Sequence, residues 1–467
     1  MKKFLNKFLK STGFVFISAL LLISCDNWID PQTNIDPDSP ADVPMNLMLP
    51  AIQQAMGYNL SGNDFVRTTN IWMQQFDGVD RQSYTEARYQ LTPADVNNIW
   101  NAVYTSLLMN SSILVSKAEN TTGKESPYNA GIGRVMIATS LGIATDIFGD
   151  MPVREALKGD QNVLKPKFDT QQKIYDTIKV ILDKAIVDFG KASSANLVTV
   201  KGDVIYAGDV AKWKKAAYSI KARNAMQLSR VNSSAAYADA LTAAANGFAS
   251  IGDDMRVPWE VANKNPINKF MTDRGDIRMG APFVDLMKSI SDPRLPFYVA
   301  KDGSGNYTGC IIGSQNSSAS APGPYIAGET SPSMIMSYAE LKFIVAEANF
   351  MTAKIPEAKA ALLEAVKASV TRVTGSATAF TQTWYDTNIG SKPLTLDLIM
   401  QQKYIATFGT NQAYADYRRV GLPVIGVPPG AVLPAMPTRY PYPQDEISYN
   451  GANVPTVTIS DKLWWDK

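Results

Sequence analysis

The sequence predicts a mainly α-helical fold, a scaffold of paired helices carrying long irregular loops. Three observations predict it. In most long segments apolar residues recur every three or four positions, which gathers them on one face of a helix. Period-two alternation is scarce, and "MRVPWEV" (255–261) is the best short strand. Two stretches, 263–335 and 421–458, break the helical pattern with Gly, Ser, Asn and Pro.

The elements follow in order. Lys2, Lys3, Lys7 and Lys10 precede the apolar run "FVFISALLLI" (14–23). That run falls short of the roughly 20 residues needed to span a hydrocarbon core, and it suits a secretory signal. The run ends in Leu22-Ile23-Ser24-Cys25, similar to the lipobox of bacterial lipoproteins, so residues 1–24 are expected to be cut away and Cys25 acylated. Residues 25–44 are acidic and Pro-rich and read as a tether. A single domain is expected over 45–467.

Within it, Ile99, Val103 and Leu107 step by four behind the start signal of Pro93 and Asp95. Ile137, Leu141, Ala144 and Phe148 mark a second helix, and Ile174, Ile178, Ile181, Ala185 and Phe189 a third. "VAKWKKAAYSIKARNAMQL" (210–228) is expected to bury Trp213, Ala217 and Ile220. Tyr338, Leu341, Val345 and Ala348 form another stripe, followed by helices from Pro356 and over about 395–408. The pairs have roughly tetratricopeptide size, without the full signature of that repeat. No segment after the signal reads as apolar enough to cross a membrane. The Tyr and Trp scattered through the two irregular stretches favour ordered loops.

Composition excludes several functions. The chain contains no histidine, which removes Ser-His-Asp and Cys-His catalysis and every His-ligated metal. Two cysteines cannot build a structural zinc site, and Cys310 reads as a small buried apolar residue. The signal holds four lysines and no acid, so residues 25–467 carry 41 basic and 43 acidic residues, a formal charge of −2. That is no footprint for nucleic acid. No cofactor or metal is expected.

Three carboxylate groupings bear on catalysis: Asp146 with Asp150, Asp273 with Asp276, and Glu340 with Glu347. A glycosidase needs two carboxyls about 5–10 Å apart across a sugar cleft. Capping, turns and helix packing explain the same residues. A different chemistry is suggested by "NDFVRTTNIWMQQFDGVDRQSYTEARYQL" (63–91). An exposed ring can stack on the C–H face of a sugar, and Arg, Asn, Gln or Asp can hydrogen-bond its hydroxyl rim. Trp72 carries two readings, a stacking platform or a core residue beside Met73 and Phe76.

Six pieces, in order, resemble the SusD/RagB family of outer-membrane nutrient-binding lipoproteins, in its second, SusD-like branch. They are "IWNAVYTSLLMNSSILVSKAE" (99–119), "ATDIFGDMPVREAL" (144–157), "SDPRLPFYV" (291–299), "SYAELKFIVAEANF" (337–350), "IMQQKYIATFGTNQAYADYRRVGLP" (399–423) and "PTRYPYPQDEISYN" (437–450). The residues themselves read as scaffold: a packed helix face, Arg418 and Arg419 paired with buried acids or stacked on Tyr, and an extended closing tail.

The resemblance implies a surface lipoprotein of the outer membrane that binds an oligosaccharide, or in some branches a peptide. It would close over a SusC-type TonB-dependent transporter, with its helices toward that partner and its loops carrying the ligand. Asp26 after Cys25 resembles the family's surface-export signal. The ligand site is then expected where segments 67–91 and 263–283 meet. Chemistry selects Trp72, Gln75, Tyr84 and Arg88 from the first and Asn265 and Arg274 from the second. A surface glycosidase is the alternative from another class, and a purely structural partner of the transporter is a third.

Overall fold

The computed structural model describes residues 43–467. The expected cleavage site, Cys25 and most of the tether lie outside the described residues.

Residues 45–467 form one compact unit built from successive helix pairs. Pro127–Phe148 packs between Asn110–Asn120 and Gln171–Asp188. Val210–Gln227 packs on Ser233–Ala244, which meets Tyr338–Met351, and that helix packs on Ile355–Thr374. Side-chain oxygens start several of them. Asp209 accepts from the amide of Lys212, Ser337 from Glu340 and Thr395 from Leu398. The helix read from Ile99 to Leu107 is helical throughout but widens to a π winding over Ala102–Met109.

Pro127–Phe148 corrects one expectation. By length and composition it could cross a membrane, with a mean hydropathy of 1.3 over its most apolar window. That window is 83% buried inside the protein, so its apolar character serves a core helix wrapped by neighbours. The stripe on Gln171–Asp188 runs through Leu182, which is buried, while Ile181 is only partly covered.

Strands are few and short. Phe76–Gly78 (β1) pairs antiparallel with Ile277–Met279 (β3), placing Phe76 opposite Met279. Met255–Val257 (β2) pairs with Ser333–Met336 (β4). The expected strand at 255–261 thus stops before Pro258, which has no N–H to continue a ladder. Gly78 is required where it stands, because a Cβ there would lie 1.8 Å from the carbonyl oxygen of Ser83. The 263–335 stretch is ordered and carries short helices at Pro266–Asp273 and Ala281–Ser289.

The motifs behind the resemblance hold the core together. Arg418 donates to the carbonyls of Asp146 and Thr438, and its guanidinium lies 3.9 Å from the Tyr414 ring centroid. Arg439 donates to the carbonyl of Phe148. The two arginines therefore clamp the turn that follows Pro127–Phe148, where Gly149 takes φ +83°. Glu347, Lys403, Asp416 and Arg419 form a buried ionic cluster. Arg419 reaches Glu347 Oε2 at 2.7 Å and Asp416 Oδ1 at 2.8 Å, and Lys403 lies 2.7 Å from Asp416 Oδ2. Burial pushes the Asp416 carboxyl up, but Lys403 and Arg419 more than reverse this and hold it below the usual range.

Candidate functional site

The β1–β3 pairing brings the two expected segments side by side. Where they meet, the ends of Met45–Asn59 and Asp64–Trp72 face Pro266–Asp273 across an open groove of about 210 Å³. Tyr58, Asn63, Arg67, Gln82, Phe270 and Arg274 line it.

Its floor is built by local chemistry. Asn265 caps the Pro266–Asp273 helix, accepting from the amides of Ile267 at 2.8 Å and Asn268 at 3.0 Å. It also donates to the carbonyl of Ser331 at 2.7 Å. That cap fixes the helix, and the helix presents Phe270. The Arg67 guanidinium lies 4.5 Å from the Phe270 ring centroid, and that of Arg274 lies 5.8 Å away. Arg67 is buried and bridged to Asp64 at 2.9 Å and Glu86 at 3.4 Å. Burial pulls the Arg67 guanidinium toward neutrality, and the two carboxylates reverse this, so it stays charged. Tyr58 is 42% exposed at the groove.

The six expected ligand residues divide three ways. Arg274 lines the groove. Tyr84 and Arg88 are half-buried on adjoining surface, with the guanidinium 5.5 Å from the ring centroid and Arg88 Nε donating to the Gly430 carbonyl at 2.8 Å. Trp72, Gln75 and Asn265 are buried, which corrects their expected exposure. Trp72 is a core residue at 0% exposure, edge-on to Tyr414 and Tyr440, with its Nε1 donating to the Glu86 carbonyl at 3.0 Å. Gln75 donates to the Tyr404 carbonyl at 2.8 Å. Asn265 spends its side chain on the helix cap.

Tyr58, Asn63, Gln82 and Phe270 were not among the expected residues. Phe270 carried a usable signal, since its neighbours in "NKFMTDRGD" (268–276) are mostly polar or charged and an aromatic there has little core to enter.

The carboxylate groupings are committed elsewhere. Glu340 grips Arg223 with both oxygens, at 2.6 and 2.7 Å, and Glu347 holds Arg419. Asp273 pairs with Lys269 at 2.9 Å, and buried Asp276 is held by Arg81 and Arg274. Asp150 accepts from the amide of Gln171 at 2.8 Å. Burial raises the Asp146 carboxyl to about 6 even though it accepts from the Tyr175 hydroxyl. Cys310 is buried and donates to Asp77 Oδ2 at 3.2 Å, and burial pushes its thiol up to about 11. Among the described residues no cluster of three or more Asp, Glu, His or Cys could hold a metal.

Comparison with known proteins gives consistent results. A SusD-like family model, described as "Starch-binding associating with outer membrane", matches residues 37–443. A solved SusD/RagB family protein from Bacteroides thetaiotaomicron is 25% identical, with a TM-score of 0.79 over 91% of this chain and 99% of that one. A solved chitin-binding protein is 25% identical, with a TM-score of 0.78 over 91% and 100%. A chitin-binding SusD homolog from Flavobacterium johnsoniae shares the fold at 20% identity, with a TM-score of 0.75 over 91% and 98%. No curated protein matches the chain significantly.

Proposed function

The chain belongs to the SusD-like family of outer-membrane-associated proteins, and from that premise we propose that it binds a nutrient oligosaccharide in the 58–82/266–274 groove. The observation that carries this reading is the groove itself. An exposed tyrosine and a half-buried phenylalanine stand among amide, guanidinium and carboxylate groups, the two kinds of surface a sugar ring needs. On this reading the protein acts as a binder rather than an enzyme, because the grouped carboxylates bond within the fold, to arginines, a lysine, a backbone amide and, for Asp146, the Tyr175 hydroxyl. The names of two structural relatives favour β-linked N-acetylglucosamine chains as the first ligands to try, and the family description adds starch.

Titration calorimetry with chito- and malto-oligosaccharides tests this. Tyr58→Ala should weaken binding about fivefold, because one ring contact is worth about 1 kcal/mol. Its melting temperature should stay near the wild-type value. Release of new reducing ends during the incubation would favour the glycosidase, and equal affinity in the variant would move the site elsewhere. A peptide ligand in place of a glycan would leave both oligosaccharide series without heat and give a binding isotherm with mixed oligopeptides.

The protein is anchored by acylated Cys25, faces the exterior, and hands its ligand to a SusC-type TonB-dependent transporter that docks on the helical face. Purification from outer membranes in mild detergent should recover acyl label on the protein together with a β-barrel partner. Cys25→Ala should lose both the label and the membrane fraction. A labelled, membrane-bound Cys25→Ala protein would refute the anchor, and repeated absence of any barrel would refute the partnership.

A further inference from the structure

We infer that the groove selects uncharged oligosaccharides and rejects those carrying carboxylates, a specificity that rests on the functional reading above. The argument is a balance of charge within one site. Arg67, Lys269 and Arg274 are the cations that line the groove, and Arg81 is tied to it through Asp276, the acid it shares with Arg274. Each already has a carboxylate: Arg67 has Asp64 and Glu86, Lys269 has Asp273, and Arg81 and Arg274 share Asp276, with Asp80 3.7 Å from Arg81 as well. Four cations thus meet five carboxylates, and no positive charge is left over for an acidic ligand.

Two of those acids cannot step aside. Asp276 and Glu86 are buried, so displacing either from its arginine would strand a carboxylate away from water. Burial already raises the Glu86 carboxyl, and the Arg67 guanidinium opposes that rise. A uronate placed against Arg67 or Arg274 would therefore compete with a pre-formed pair and stand near Asp64 and Asp273. A neutral hydroxyl faces no such competition. It can donate to the partly exposed Asp64 and the exposed Asp273 and accept from the exposed Arg274 guanidinium.

The test uses the oligosaccharides of the preceding titration, each beside its C6-oxidised, uronate form, with the full chain. The neutral form should bind at least about tenfold more tightly than its oxidised counterpart, a difference of about 1.4 kcal/mol. Its affinity should change less than about twofold between roughly 0.02 and 0.5 M salt, where an exposed charge contact would be screened away. Asp273→Asn removes an exposed acid from a surface pair and leaves Lys269 uncompensated, so it should gain uronate affinity at low salt. Uronate binding equal to or tighter than neutral binding, lost in Tyr58→Ala, would overturn this inference while leaving an oligosaccharide-binding groove in place. Binding of neither form would overturn both readings.

Discussion

Replacing Trp72 by alanine is expected to cost about 3–5 kcal/mol of stability, the range for deleting a fully buried aromatic. For a chain of this size that corresponds to a fall in melting temperature of roughly 3–6 °C. The ring touches no solvent and packs edge-on against Tyr414 at 5.4 Å and Tyr440 at 5.3 Å. Its loss leaves a cavity and strips the Glu86 carbonyl of its donor. Oligosaccharide affinity in the folded fraction should match the wild type, because the indole does not line the groove. Calorimetric melting and ligand titration on the one variant check both halves. A large loss of affinity with an unchanged melting temperature would return Trp72 to the site.

A comparable loss is expected from Asp416→Asn. Removing one charge from a buried network leaves its partners uncompensated, at a cost of about 3–5 kcal/mol. Lys403 would be left 4.0 Å from Glu347, which Arg419 already grips. The effect carries a pH signature. The folded Asp416 carboxyl is held below its ordinary value, so its contribution is complete above the unfolded carboxylate range, near about 4, and is lost as pH falls through the folded value. Denaturant unfolding of wild type and variant should show a wide gap at pH 7 that narrows steadily below pH about 4. A gap independent of pH would mean that the cluster contributes by shape and not by charge.

Much of the scaffold was legible because helix periodicity reports burial directly. Trp213, Ala217 and Ile220 line a buried face, and the bounds of Val210–Gln227 fall within a residue of the expected ones. The site was legible at the level of segments but not of residues. Segments 67–91 and 263–283 do meet, through a β pairing that no local pattern announces. Size alone does not separate a platform from a core ring. Trp72 suits a platform because it is large and flat, and the same area is what makes a tryptophan worth burying. Asn265 and Gln75 had the right hydrogen-bonding groups, but a cap and a strand-end contact had prior claim on them. Tyr58 lies at the end of a helix whose register gives no hint that its last turn overhangs a groove.

The pairing of residues 76–78 with 277–279, and of Trp72 with Tyr414 and Tyr440, has a consequence for how the protein comes into being. These contacts join parts of the chain separated by some two hundred to more than three hundred residues, and such contacts close late and slowly. A chain made from its N-terminus carries Tyr58 and Arg67 early, yet their groove cannot exist until the Pro266–Asp273 helix arrives, and the packing behind it waits for residue 440. The ligand therefore cannot template the nascent chain. Any ligand of this groove can engage only a finished molecule, and truncation near the C-terminus should abolish binding without touching a single groove residue.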